Sequence, residues 1–250
     1  MNDPCFTARL HSNNRIHFLR IFQYIKEFNA QCQMRFDDNG MMRIQVSDPS
    51  HVSMLNICID RTFFSSVVGR GEIGVSSVTI VKILSFLEGD IQFEYNAEKA
   101  RLKIWGIEGT FETSCYEIDS ELFEFPLDDI ALMSPIEIFG DASTNDIIET
   151  VRKWSSRFQA EYVSFSIVDD TLSMETDTDE TNIKVAFSII GGQGNWNAKI
   201  RANYFTQLKK TQAVVTIYWK NDFPIMIEEL GEDFKIQTFI APQMEDTTVD

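Results

Sequence analysis

DSELFEFPLDDIALMSP, residues 119–135, divides this chain of 250 residues into two parts of similar length. The stretch holds five acids, two prolines and neither Lys nor Arg. Its apolar side chains are Leu122, Phe123, Phe125, Leu127, Ile130, Leu132 and Met133. A linker this apolar is expected to dock part of its length on a folded face rather than float. Each flanking part has the size of a small domain, which clusters near ~100–150 residues. The predicted organisation is therefore a domain over 1–118, a linker over 119–135 and a second domain over 136–250.

The two parts read alike. In the first, a helical apolar period over 15–26 is followed by runs with strand period at 33–36, 41–46 and 51–59, with Asp38-Asn39-Gly40 as a turn. A second helix is predicted over 77–87, then strands near 91–95, 101–106 and 110–117. The second part repeats the order. A helix over 144–158 precedes strands near 161–167, 171–176 and 183–190. A short helix over 202–210 precedes strands near 213–219, 223–228 and 234–240. Strands that follow one another directly pair antiparallel, so the class is α+β: two similar domains of helices on antiparallel sheets.

Composition is that of a globular protein, with 44% hydrophobic and 24% charged residues. Mean hydropathy is −0.15, and no apolar run approaches the ~18–20 residues of a membrane helix. The opening MNDPCFTARL lacks the basic and apolar regions of a signal peptide. Cys5, Cys32, Cys58 and Cys115 form no CxxC, and no Asn-x-Ser/Thr acceptor occurs, so an intracellular protein with reduced thiols is expected.

The net charge of −16 argues against nucleic acid as a partner, but its distribution argues otherwise. Window 15–26 is +3, 78–87 is +1, 144–157 is +1 and 202–210 is +2, so the rest of the chain carries −23. On the wheel of 144–158, Ile147, Val151, Trp154 and Phe158 form one apolar arc, with Glu149, Arg152 and Lys153 opposite. On 78–87, Ile80, Ile83, Leu84 and Leu87 face inward, and Lys82 with Ser85 faces away. A solvated helix face normally mixes both signs. A positively biased face suits a phosphate backbone followed without base reading.

Five ordered fragments carry a resemblance. They are Phe6-x-Ala8-Arg9-Leu10; Ser47-Asp48-Pro49-Ser50-His51-Val52-Ser53; Val81-Lys82-Ile83-Leu84; Asp222-Phe223-Pro224-Ile225-Met226-Ile227-Glu228; and Phe239-Ile240-Ala241-Pro242-Gln243-Met244-Glu245-Asp246. Over about residues 6–246 the chain resembles the PCNA-type DNA sliding clamps. The resemblance implies subunits closing head to tail into a trimeric ring, with helices lining a hole around duplex DNA and no catalysis. It implies a processivity factor, acting in the nucleus or in a viral replication compartment. Matching positions put Arg20, Lys26, Lys82, Arg152 and Lys209 or Lys210 toward DNA; Lys153 and Arg15 follow from wheel and charge alone. Glu149 stands where the family often has a basic residue, and Gln243 replaces its usual Lys or Arg.

The resemblance also implies an apolar pocket for short peptides of DNA polymerase, clamp loader, ligase and flap nuclease. Its walls would be His51, Val52, Met54, Ile130, Leu132, Pro224, Phe239, Ala241 and Pro242. Subunits would join by strand pairing of Thr110–Glu117, with Phe111 and Tyr116, onto Asn182–Phe187 of the next copy, with Ile183 and Val185. A homotrimer is expected. A checkpoint-type subunit of a heterotrimer is the alternative, and an enzyme on an α+β scaffold is the remote one.

Enzyme motifs do not stand up. Gly69-Arg70-Gly71-Glu72-Ile73-Gly74 matches GxGxxG, but a dinucleotide site needs the glycines to open a helix directly; a glycine-rich hairpin before the second helix is expected instead. Asp177-Thr178-Asp179-Glu180 lacks the Gly and Glu of a calcium loop. His11, His17 and His51 have no metal spacing, and no Ser/His/Asp arrangement can be placed. No cofactor or metal is expected.

Overall fold

The computed structural model describes residues 5–50, 52–116, 132–140, 143–178, 181–190, 195–207, 214–220 and 223–243. The chain forms two compact units: Met1–Phe125 with Leu230–Gln237, and Pro126–Glu229 with Thr238–Asp250. The expected linker lies outside the described residues as far as residue 131.

The first unit contains β1 (Phe6–Leu10), α1 (Arg15–Phe28), β2 (Gln31–Phe36), β3 (Met42–Ser47), β4 (Ser53–Ile59), β5 (Phe64–Gly69), β6 (Gly71–Ser76), α2 (Ser77–Phe86), β7 (Ile91–Asn96), β8 (Arg101–Trp105) and β9 (Thr110–Ser114). One antiparallel sheet has the order β5-β1-β7-β8-β9, and β4-β3-β2-β6 lie side by side in another. Alternation sets the inward face. Met34, Ile44 and Ile57 are partners across three strands, as are Phe36, Met42 and Ile59, and all six are buried. The turn before β3 is held by the Asp37 carboxylate, which accepts from Asn39 N at 2.9 Å and Met41 N at 3.0 Å, with Gly40 at φ +78.

α1 buries Phe18, Ile21, Phe22, Ile25 and Phe28 at helical spacing. Phe18 meets Phe22, Phe63, Phe64 and Phe93 with ring centroids 5.0–6.1 Å apart. Each such ring contributes about 1.5–3 kcal/mol by burial, so this cluster anchors the helix. α2 is capped by Ser76, whose Oγ accepts from Thr79 N at 3.2 Å. It buries Ile80, Ile83 and Leu84, and Leu87 just beyond its end is buried too.

The second unit contains β10 (Ser134–Ile138), α3 (Thr144–Phe158), β11 (Tyr162–Val168), β12 (Thr171–Asp177), β13 (Asn182–Ile190), β14 (Trp196–Arg201), α4 (Ala202–Gln207), β15 (Val214–Trp219) and β16 (Ile225–Leu230, as far as Glu229). Its strands run in the order β14-β11-β12-β13-β10-β15-β16. The last strand, β17 (Phe234–Ile240), counts with the first unit through Gln237 and with the second from Thr238. The first turn of α3 is closed by Asp146, whose carboxylate accepts from Ser143 N at 2.7 Å. It buries Ile147, Ile148, Val151 and Trp154.

Phe158 departs from its expected place in the apolar arc and is 46% exposed. It is the last helical residue, and the chain turns away at Gln159 in a left-handed conformation, φ +54. The expected glycine hairpin is also corrected. β5 pairs with β1 and β6 with β2, so the chain passes between sheets at Arg70. The glycines serve close packing: a Cβ on Gly69, at φ +80, would lie 2.3 Å from the Cys5 carbonyl oxygen, and one on Gly71 would lie 2.9 Å from the Phe6 ring. Strands β1, β10 and β14 are not among the predicted ones; β1 and β10 have only five residues, whereas β14 alternates strictly and buries Trp196, Ala198 and Ile200.

Candidate functional site

The helices carry the basic side chains outward. Arg20 and Lys26 on α1 and Lys82 on α2 are exposed, as is Lys153 on α3. Arg157, four residues beyond Lys153, is exposed as well and extends the same helix face; its spacing was the available signal. Arg15 behaves differently. Its Nη1 donates to the Leu84 carbonyl at 3.0 Å and the Leu87 carbonyl at 2.8 Å. It satisfies orphan carbonyls at the end of α2 and offsets the negative pole there, so its role is structural. Arg152 is only part-exposed and pairs with Glu149 at 3.2 Å. Part of its charge is thereby cancelled within α3. Lys209 and Lys210 lie outside the described residues.

The expected joining segments include β9 and part of β13. β9 is the last strand of its sheet. Thr110 is exposed and Phe111 half-buried, its ring 5.5 Å from the exposed Phe86. Tyr116 lies past β9 and exchanges backbone hydrogen bonds with Gly74 at 2.9 and 3.3 Å. In the second unit, β13 pairs with β12 from Asn182 to Ser188 and with β10 at Ile189 and Ile190. Among the described residues, its other edge is therefore open along Asn182–Phe187. Ile183 and Val185 are half-buried there. Asn182 Nδ2 donates to Glu175 at 2.8 Å, and this bond, followed by Lys184, holds the Glu175 carboxyl below its ordinary range. Exposed polar backbone on an edge is a template for another chain.

The expected peptide-contacting residues divide between the units. Val52 and Met54 are half-buried in the first. In the second, Leu132 is 67% exposed, Pro224, Ala241 and Pro242 are half-buried, and Phe239 is 4% exposed and offers little surface. Gln243 N donates to the Lys199 carbonyl at 2.7 Å, which fixes the run Ala241–Gln243 beside β14. His51 and Ile130 lie outside the described residues. Among the described residues no cluster of His, Cys, Asp or Glu could hold a metal ion, and no helix is long and apolar enough to cross a membrane. The four cysteines are free thiols, and burial pushes Cys32 up to about 12.

No protein-family model matches the chain. A curated relative, described as probable DNA polymerase sliding clamp 2 of Paramecium bursaria Chlorella virus 1, is 24% identical over 240 residues, covering 91% of this chain and 87% of the relative. Solved structures match it along its length. The A. fulgidus PCNA chain, described with the C-terminal region of FEN-1 bound, gives a TM-score of 0.75 at 16% identity, covering 96% of this chain and 99% of that one. PCNA from Entamoeba histolytica gives 0.74 at 16% identity, with 96% and 100% covered. PCNA from Thermococcus kodakaraensis gives 0.72 at 12% identity, with 95% and 100% covered. The chain has the fold of the PCNA-type clamps. In this clamp fold the exposed Arg20, Lys26, Lys82 and Lys153 stand on helices, whereas many of the acids stand on strands and loops. Among the described residues the helices keep a net positive charge, although they also carry Glu27, Asp146 and Glu149.

Proposed function

We propose that three copies of this clamp close head to tail around duplex DNA and tether a polymerase to its template. The observation that carries the reading is the set of exposed basic side chains on α1 and α2 of the first unit and on α3 of the second, in a chain of net charge −16. A lining of weak, non-specific phosphate contacts holds DNA without fixing it, because such contacts read no base edges and exchange readily with salt. The clamp acts as a scaffold and carries out no chemistry of its own. The subunit joint is β9 of one copy against the open edge of β13 of the next, with Phe111, Tyr116, Ile183 and Val185 supplying apolar area.

Partners dock through short peptides with a Gln, an aliphatic residue and two adjacent aromatics, as strand-adding or pocket-filling ligands do. Polymerase, clamp loader, ligase and flap nuclease are the expected sources. The residues concerned are Val52 and Met54 in the first unit and Leu132, Pro224, Ala241 and Pro242 in the second. The viral relative fits action in a viral replication compartment, with the nucleus as the other setting.

The test is the mass of the purified protein, followed by processive synthesis with a cognate polymerase on primed circular DNA. A trimer that extends product length supports the reading. A monomer that becomes a ring only with two other chains would mark it as a heterotrimer subunit. No gain in product length from an intact trimer would sink the processivity role.

A further inference from the structure

The loop between β3 and β4 is tied down on two sides within the first unit. Asp48, 7% exposed, accepts through Oδ1 from Val52 N at 2.8 Å and Ser53 N at 2.7 Å, and through Oδ2 from Ser50 N at 3.2 Å. Its own N donates to the Ser53 carbonyl at 3.0 Å. One shielded carboxylate therefore sets the path of the backbone that leads into Val52 and Met54. Charge-assisted bonds of this kind are short and roughly twice as strong as neutral ones.

The second tie starts at the helices. Asn29 follows α1, and its N donates to the Ile25 carbonyl at 3.0 Å. Its Oδ1 accepts from Gln31 N at 3.1 Å, and its Nδ2 donates to the Ser47 carbonyl at 2.9 Å, one residue before Asp48. The Asn29 carbonyl accepts from Ser77 Oγ at 2.8 Å. Ser77 is the first residue of α2 and wholly buried, and its N donates to the Ala30 carbonyl at 2.9 Å. One side chain thus links the end of α1, and through its backbone the start of α2, to the start of the loop.

We propose that Asn29 and Asp48 are positioning residues for partner binding: together they hold Ser50, Val52 and Ser53, and with them the start of β4 at Met54, on the ends of the two basic helices. The proposal rests on the partner-peptide reading above and goes beyond it by naming what keeps the first-unit contact surface in place. Neither residue needs to touch the peptide. A loop already fixed costs nothing to order at association, whereas a loose one subtracts its ordering from the affinity. The chemistry demanded is specific. Position 48 needs an acceptor at Oδ1 for two N–H groups, and position 29 needs an acceptor and a donor on one side chain, which Asn supplies and Asp does not.

The test is calorimetry on the full-length protein with a synthetic peptide bearing a Gln, an aliphatic residue and two adjacent aromatics. Asp48→Ala is expected to weaken binding by about tenfold or more. Asp48→Asn keeps the Oδ1 acceptor and should recover most of the affinity. Asn29→Asp keeps the bond from Gln31 N, loses the donor to Ser47, and should weaken binding like Asp48→Ala. Assembly mass should stay unchanged throughout. Equal affinity for Asp48→Ala and wild type overturns the proposal, and so does a failure of Asp48→Asn to outperform Asp48→Ala. If Asp48→Ala does not fold, Asn29→Asp and amide exchange at Val52 and Ser53 decide: protection there that survives Asn29→Asp overturns the link to the helices. If the wild type binds no such peptide, the partner reading itself fails, and the exchange experiment still reports on the tie.

Discussion

Asn56 and Gln237, separated by 181 positions, meet inside the first unit, where Asn56 Nδ2 donates to Gln237 Oε1 at 3.0 Å. They are 3% and 5% exposed. The pair joins β4 to a segment from the far end of the chain. A second tie runs beside it: Asp60 N donates to the Asp233 carbonyl at 2.8 Å, and Thr62 Oγ1 lies 2.7 Å from Asp233 Oδ1. The first unit is therefore completed by Leu230–Gln237, which follow the Pro126–Glu229 part of the second in sequence.

This completion can be tested by stability. Asn56→Ala removes a buried hydrogen bond to Gln237 Oε1, at a cost of ~1–3 kcal/mol. Urea unfolding should show the midpoint falling with the slope unchanged. Residues 1–125 expressed alone lack Leu230–Gln237 and should unfold at lower urea than the intact chain. Stability equal to the intact chain would show that the late segment adds nothing.

The charge argument predicts effects of opposite sign on one kind of surface. Lys82→Glu should shorten the residence of loaded clamp on DNA, and Glu149→Gln should lengthen it by removing an acid paired with Arg152. Both effects should fade with salt, since the Debye length falls from ~10 Å at 0.1 M to ~3 Å at 1 M. Neutralising one phosphate more or one fewer changes the salt slope by at most ~1. Lys99→Glu, in the exposed turn between β7 and β8, is the control. Equal damage from Lys99→Glu and Lys82→Glu in a processive synthesis assay would rule out the helical face.

Ring closure is best tested by side chains. Ile183 sits opposite Thr176 in the β12–β13 ladder, so a proline there could damage the fold as well as the joint. Val185→Asp and Phe111→Asp instead place a charge among the apolar groups of the proposed joint. Each should convert trimers to monomers by light scattering while the circular dichroism spectrum stays constant. Trimers that persist in both variants would place the joint elsewhere.

The cysteines predict an alkaline weakness. Burial pushes the Cys32 thiol from 9.0 up to about 12 in the folded chain. Above pH 9 the unfolded chain loses this proton while the folded chain keeps it, so stability falls between about pH 9 and 12 and is intact below. Cys32→Ala should flatten that part of the profile. At pH 8 a disulfide reagent should leave Cys32 unmodified in native protein. Cys115, raised to about 11 mainly by burial, should react slowly despite partial exposure, because the thiolate is the nucleophile. Rapid labelling of Cys32 without unfolding would contradict its burial.

What the sequence determined by itself was what local pattern controls. The spacing of Phe18, Phe22 and Ile25 marked a helix and its inward face. Alternation in 33–36 and 41–46 marked strands, and the apolar arcs of the helices left their basic residues on the other side. The sequence put Glu149 and Arg152 on one helix face, and the structure joins them, since a spacing of three brings helical side chains together. Tertiary structure alone decided the pairings between distant segments. Nothing local says that β6 joins β2 rather than β5, that Arg15 caps α2 rather than facing solvent, or that Asn29 bridges two helices and a loop. Asn56 and Gln237 read simply as polar residues until the fold brings them together. Such contacts depend on which chains lie side by side, and that is settled by burying all the apolar faces at once; a polar group gains a partner, and a role, only after that burial has placed one within reach.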